Sequence, residues 1–165
     1  MATKLTVTAG VVVGAGQQQV WDLVVDWSRQ REWILATRTE GGHGLGAKVT
    51  GRTGIGPLRF ADPMEVSEWA PPRRCTVTHL GKFVRGHGVF EVVPRADKGG
   101  SEFRWTEVIE LPVPLPPALG RLVAATMIGP MTRVGLGWSL RRFARLVGSG
   151  PGTDGRTAAS AYGAS

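Results

Sequence analysis

The hydropathy period of this chain alternates at first, turns helical once, alternates again over a long middle, and returns to helical spacing near the C-terminus. Between Lys4 and Ala9, apolar Leu5, Val7 and Ala9 alternate with Thr6 and Thr8. From Gln17 to Ser28 the apolar set Val20, Leu23, Val24 and Trp27 follows helical spacing. Alternation governs Leu58 to Leu111, and after Pro117 the helical pattern resumes at Leu119, Leu122, Val123 and Met127. The order specifies one sheet whose buried face is covered mainly by the last helix. A curved sheet gripping one helix leaves a hollow, and hollows bind small molecules.

At 165 residues the chain has room for one core. That core is expected over residues 1–147. Residues 148–165, small and polar apart from Tyr162, bury too little to offset the entropy of ordering and read as a disordered tail. Cys75 is the only cysteine, which excludes an intramolecular disulfide and suits a cytoplasmic address. No uninterrupted apolar stretch precedes Gly10, so no secretory signal is expected. The apolar segment from Leu119 to Val147 carries Arg121, Arg133, Arg141, Arg142 and Arg145 and reads poorly as a membrane span, so no stable membrane insertion is expected. The net charge of +7 raises the question of nucleic acid, but the basic residues are spread along the chain and no nucleic-acid-binding motif is present. Arg141, Arg142 and Arg145 fall near a helix C-terminus, where the macrodipole favours cations.

The alternating middle decides which side chains face inward. Leu58, Phe60, Met64 and Val66 share a face, which carries Asp62 and Glu68 with them unless a bulge intervenes near Pro63. Cys75, Val77 and His79 share a face opposite Thr76 and Thr78. In the next strand Gly86 and Gly88 fall on the apolar side with Val84, Phe90 and Val92, where they allow a sharp bend or leave room beside the backbone. Phe103, Trp105 and Ile109 place Glu107 among them. A buried carboxylate must be paired, protonated or close to a wet opening. A meeting of His79 with Glu107 or Asp62 inside a cavity would make an acid/base pair.

Other motifs carry less. The runs GGHGLG (41–46) and GRTGIG (51–56) lack the strand-to-helix context of phosphate loops and read as hairpin turns. His43, His79, His87 and Cys75 show no metal-ligand spacing, and no cofactor motif is present. The segment LPVPLPP (111–117) makes a rigid elbow into the last helix. Gly129 and Pro130 interrupt that helix, and the kink is a candidate surface for a homodimer.

The segments VWDLVVDWSRQREW (20–33), EWAPPRRCTVTHLG (68–81), GHGVFEVVP (86–94) and FRWTE (103–107) together resemble the START-related polyketide cyclase and lipid-transfer superfamily, SRPBCC, over Lys4 to Val147. The resemblance implies an α+β helix-grip fold: a curved antiparallel sheet around a long C-terminal helix, with two short helices after the first strand and a deep apolar cavity. It also implies bacterial relatives that include hydrophobic-ligand carriers and aromatase/cyclases, whose catalytic residues are not shared between branches.

Two functions follow as expectations. In the first, a small hydrophobic molecule, lipid-, quinone- or polyketide-like, binds against Met64, Val66, Val77, Gly86, Gly88, Phe90, Trp105, Met127 and Met131. Glu107 or His79 would orient one polar group of that ligand. In the alternative, a polyketide cyclase, aromatase or dehydratase uses His79 with Glu107 or Asp62 as acid and base in the same cavity.

Overall fold

The computed structural model describes residues 4–82, 84–96, 99–110, 116–148 and 158–160. Its strands are β1 (Lys4–Val13), β2 (Thr37–Gly41), β3 (Lys48–Ile55), β4 (Leu58–Ala70), β5 (Arg74–His79), β6 (Arg85–Pro94), β7 (Ser101–Glu110) and the short β8 (Ala158–Ser160). Between β1 and β2 lie α1 (Gln17–Val25) and a 3-10 helix (Trp27–Glu32), and after β7 come α2 (Pro117–Val123), a π-helical turn (Ala124–Ile128) and α3 (Gly129–Gly148). The sheet order is β2-β3-β4-β5-β6-β7-β1-β8, and every pairing is antiparallel. This is the expected helix-grip α+β architecture, with α1 and the 3-10 helix as its two short helices. Residues 111–115 of the expected proline elbow (111–117) and most of the expected tail lie outside the described residues. Within that tail Gly148 ends α3, and Ala158–Ser160 pair with Val12–Gly10.

Period-two patterning sets the buried face. Val7, Ala9 and Val11 on β1 stand opposite Glu107, Trp105 and Phe103 on β7, and Gly88, Phe90 and Val92 on β6 continue those rows. A register shift between Val66 and Glu68 splits β4 into two phases. Phe60, Asp62, Met64 and Val66 therefore stay on one face, while Glu68 is turned away to meet Arg74 and Thr76. A bulge does what the sequence reading allowed for, but it lies after Val66 rather than at Pro63.

The middle of the grip is filled with aromatic rings. Trp33 is fully buried, edge-on to Phe103, Trp105 and Phe143 at centroid separations of 5.8, 5.7 and 5.1 Å. Phe90 packs on Trp105 at 5.3 Å, and Phe103 on Phe143 at 4.8 Å. Each such ring stabilises the fold by roughly 1.5–3 kcal/mol of burial.

The C-terminal helix runs through the Gly129-Pro130 pair by widening. The Gly129 N–H donates to the Ala124 carbonyl in a π turn, which spares Pro130 the clash with a regular ladder. The added residue rotates the helix by about 100° relative to an uninterrupted α-helical count. The buried set becomes Leu136, Leu140, Phe143, Ala144 and Val147. Met127 and Met131, expected to line the cavity, are instead 67% and 72% exposed. No helix among the described residues is long and apolar enough to cross a membrane.

Candidate ligand-binding site

Asp62, His79 and Glu107 meet on the buried face of the sheet. Asp62 is delivered by β4, His79 by the last position of β5, and Glu107 by β7 across Gly88. The His79 Nδ1 lies 2.6 Å from Asp62 Oδ2, and its Nε2 lies 3.4 Å from Glu107 Oε2. The Trp105 indole N–H donates to Glu107 Oε1 at 2.6 Å. The three side chains are 9%, 10% and 14% exposed, so the pairing takes place largely out of water. Burial alone disfavours the imidazolium, but the hydrogen bond to Asp62 and the Glu107 carboxylate 3.4 Å from Nε2 outweigh it and raise the His79 pKa to about 9. The cluster is thus an imidazolium gripped between two carboxyls.

The two β6 glycines make this arrangement possible. At Gly88 a Cβ would stand 2.9 Å from Glu107 Oε1, so the space it leaves is taken by the carboxylate. Gly86 has φ +118°, and a Cβ there would lie 1.8 Å from the Val108 carbonyl oxygen, so it serves the bend of the sheet. The room expected beside them for a ligand is occupied by the protein itself. Val66, Val77, Phe90 and Trp105 are buried in the core, and Met64 is half-buried against it.

Open space lies at two other places. A cavity of about 430 Å³ adjoins the cluster, lined by His79 and Gly81 with Lys82, Arg85, His87 and Glu110 among others. Asp62 Oδ1, buried and without a hydrogen-bond partner, would lie 3.2 Å from a Cβ at Gly81. A larger cavity of about 850 Å³ lies at the β2 edge, between the turn after Trp33, the distal ends of β3 and β4, and α3. Ile34, Leu35, Phe60 and Trp138 supply its apolar wall, and Arg31, Arg38, Arg52, Arg59 and Arg142 its charge. The Leu35–Ala36 turn is held by the Leu35 N–H to Ser139 Oγ at 3.3 Å and by the Gly54 N–H to the Ala36 carbonyl at 3.0 Å. Ala36 adopts φ +49°, a strained conformation for a residue with a Cβ.

Sequence reading selected the Asp62, His79 and Glu107 cluster and missed the larger cavity. Its arginines are far apart in the chain and appeared dispersed. The signal was the hairpin register: closing β2 on β3 through the 41–46 loop sets Arg38 directly opposite Arg52. That loop is the hairpin turn expected, pinned by the Trp27 indole N–H to the Gly42 carbonyl at 2.8 Å. The 51–56 run instead lies mostly within β3, with its turn only at Gly56-Pro57. Among the described residues no group of three or more His, Cys, Asp or Glu side chains has the arrangement to hold a metal ion.

A curved antiparallel sheet closed on a long C-terminal helix defines the helix-grip class. The chain belongs to the polyketide cyclase / dehydrase and lipid transport family, whose profile matches residues 4–148. No curated protein matches it. Among solved structures it is similar to a protein of unknown function from Staphylococcus aureus, with TM-score 0.68 and 9% identity over 88% of this chain and 94% of that one. It is similar to a Thermobifida fusca protein at TM-score 0.56 and 25% identity, over 86% and 94% of the two chains. The di-domain ARO/CYC BexL of the BE-7585A biosynthetic pathway aligns at TM-score 0.65 and 13% identity, with 90% of this chain covering 51% of BexL. Likeness at 9% and 13% identity carries the fold alone.

Proposed function

We propose that this chain binds a small, largely apolar molecule in the gap between the β2 edge of the sheet and α3. The observation that carries this reading is the lining of the 850 Å³ cavity. Leu35 and Phe60 are large apolar side chains left exposed in it beside Ile34 and Trp138, and the volume falls in the usual range for small-molecule sites, about 300–1,000 Å³. The family's carriers of lipids point the same way. The buried free thiol of Cys75 fits a reducing, cytoplasmic setting. The test is native mass spectrometry of the protein purified from its own host, with identification of any retained molecule. A stoichiometric apolar ligand recovered unchanged, and weakened at least about tenfold by Trp138→Ala, supports binding. Recovery of no ligand, together with no affinity for alkyl chains in vitro, overturns it.

A second reading is favoured by the His79 cluster: acid/base turnover of a polyketide-like substrate from the adjoining 430 Å³ cavity. Of the cluster only His79 lines that cavity, with the unpartnered Asp62 Oδ1 buried beside Gly81. Binding is preferred because both His79 nitrogens already face carboxylates, so proton transfer to a substrate would require the clamp to open. If the chain is an enzyme, His79→Ala or Glu107→Gln abolishes turnover of a polyketide-like chain while its affinity survives. Unchanged turnover in both variants excludes the cluster from the chemistry.

A further inference from the structure

Resting on the binding reading, we propose that the arginines of the β2-edge cavity hold the anionic headgroup, a carboxylate or phosphate, of an amphipathic ligand whose apolar body lies on Phe60, Leu35 and Trp138. Five guanidinium groups line this cavity against one acid, Glu32, whose two oxygens are both taken by Arg29 at 3.0 Å. Arg38 and Arg59 have no ion-pair partner among the described residues. Arg52 meets Glu40 at 3.2 Å, but both side chains are exposed and such pairs contribute little. Arg142 lies over the Trp138 ring at 4.6 Å, which fixes the plane of its guanidinium at the cavity wall.

The register makes this concentration of charge unfavourable to the fold itself. Arg38 and Arg52 are directly opposite in the β2–β3 ladder, and Arg59 stands two residues from Ala61, the β4 partner of Arg52. Like charges facing across a strand pair destabilise a sheet. An anion placed among them reverses that repulsion, and the planar fork of arginine matches carboxylate and phosphate oxygens. Phe60, Thr53 and Thr37 alternate with these arginines along the same strands. The three strand arginines therefore share the sheet face opposite Phe60, while Arg142 joins the cavity from α3 beside Trp138.

The test is calorimetric titration of the full chain with dodecanoate, dodecyl phosphate and dodecanol, repeated for Arg38→Ala/Arg59→Ala after circular dichroism has confirmed its fold. The expected result is that one or both anions bind at least about tenfold more tightly than dodecanol, that added salt weakens them, and that the double variant removes the preference without changing dodecanol affinity. The tighter anion names the headgroup. Equal affinity for dodecanol and the anions, or an anion preference that survives the double variant, overturns the headgroup site and leaves the binding reading standing. Failure of all three to bind overturns the headgroup site and, together with recovery of no ligand from the host, the binding reading as well.

Discussion

The Nδ1 of His79 sits 2.6 Å from the Oδ2 of Asp62, and this contact across neighbouring strands makes the imidazole cationic inside the protein. Its pKa, raised to about 9 from 6.5, means that the folded state holds a proton the unfolded chain releases earlier. The associated stability is fully present below pH 6.5 and is lost as pH rises through about 9. The loss is on the order of 3 kcal/mol. Urea midpoints measured from pH 6 to 9, below most of the range in which the Cys75 thiol ionises in the unfolded chain, should fall across that window, and Asp62→Asn should flatten the fall. A flat wild-type profile would show that folding does not raise the His79 pKa.

Glu107 and Gly88 should behave as one unit. Gly88→Ala places a Cβ 2.9 Å from Glu107 Oε1 and must displace the carboxylate from the Trp105 indole N–H. Alone it should cost about 1–3 kcal/mol, through an unpaired indole N–H and a weakened ion pair to His79. In a Glu107→Ala background the same change has nothing to displace and should cost less than about 1 kcal/mol. A double-mutant cycle by urea denaturation measures the coupling, and strict additivity would mean that the glycine serves the backbone alone.

Most of this cluster was legible because period-two alternation fixes a face wherever no bulge intervenes. His79 and Glu107 lie on uninterrupted strands, β5 and β7, and their inward placement follows by counting. Glu68 could not be placed, because the bulge after Val66 shifts the phase and leaves no composition signal. Met127 and Met131 were misplaced because the apolar pattern after Pro117 lies on the outer side of its helix: Leu119 and Leu122, ahead of the π turn, are exposed as well, and the buried positions there are the small residues Gly120 and Ala124. The arginine-lined cavity is a matter of strand register, visible only once β2 is paired with β3.

Gly86 and Gly135 make a contrast in what a methyl group can do. Gly86 needs φ +118°, and its Cβ would overlap the Val108 carbonyl oxygen at 1.8 Å. Gly86→Ala should destabilise by more than about 3 kcal/mol or prevent soluble expression. Gly135 lies within α3 with nothing within 4 Å of its Cβ position, and Gly135→Ala should stabilise by roughly 0.5–1 kcal/mol. Melting temperatures for the pair check both signs. A tolerated Gly86→Ala would contradict the strand geometry on which the site rests.

Cys75 offers a direct link between the core and the ligand. Its thiol is fully buried, and burial, helped by the Glu68 charge, pushes its pKa up to about 12. The native protein should therefore resist a thiol reagent at pH 8, with labelling paced by opening of the sheet around β5. A ligand that binds only the folded state lowers the open population by the factor 1 + [L]/Kd. Dodecanoate at about 100 times its Kd should slow labelling roughly a hundredfold wherever opening and closing are fast relative to the reaction. Trp138→Ala, which weakens binding at least about tenfold, should cut that protection to about tenfold or less at the same dodecanoate concentration while leaving Cys75 buried. Labelling that is rapid in the absence of denaturant would place the thiol outside the core, and protection that stays near a hundredfold without Trp138 would place the ligand elsewhere than the β2-edge cavity.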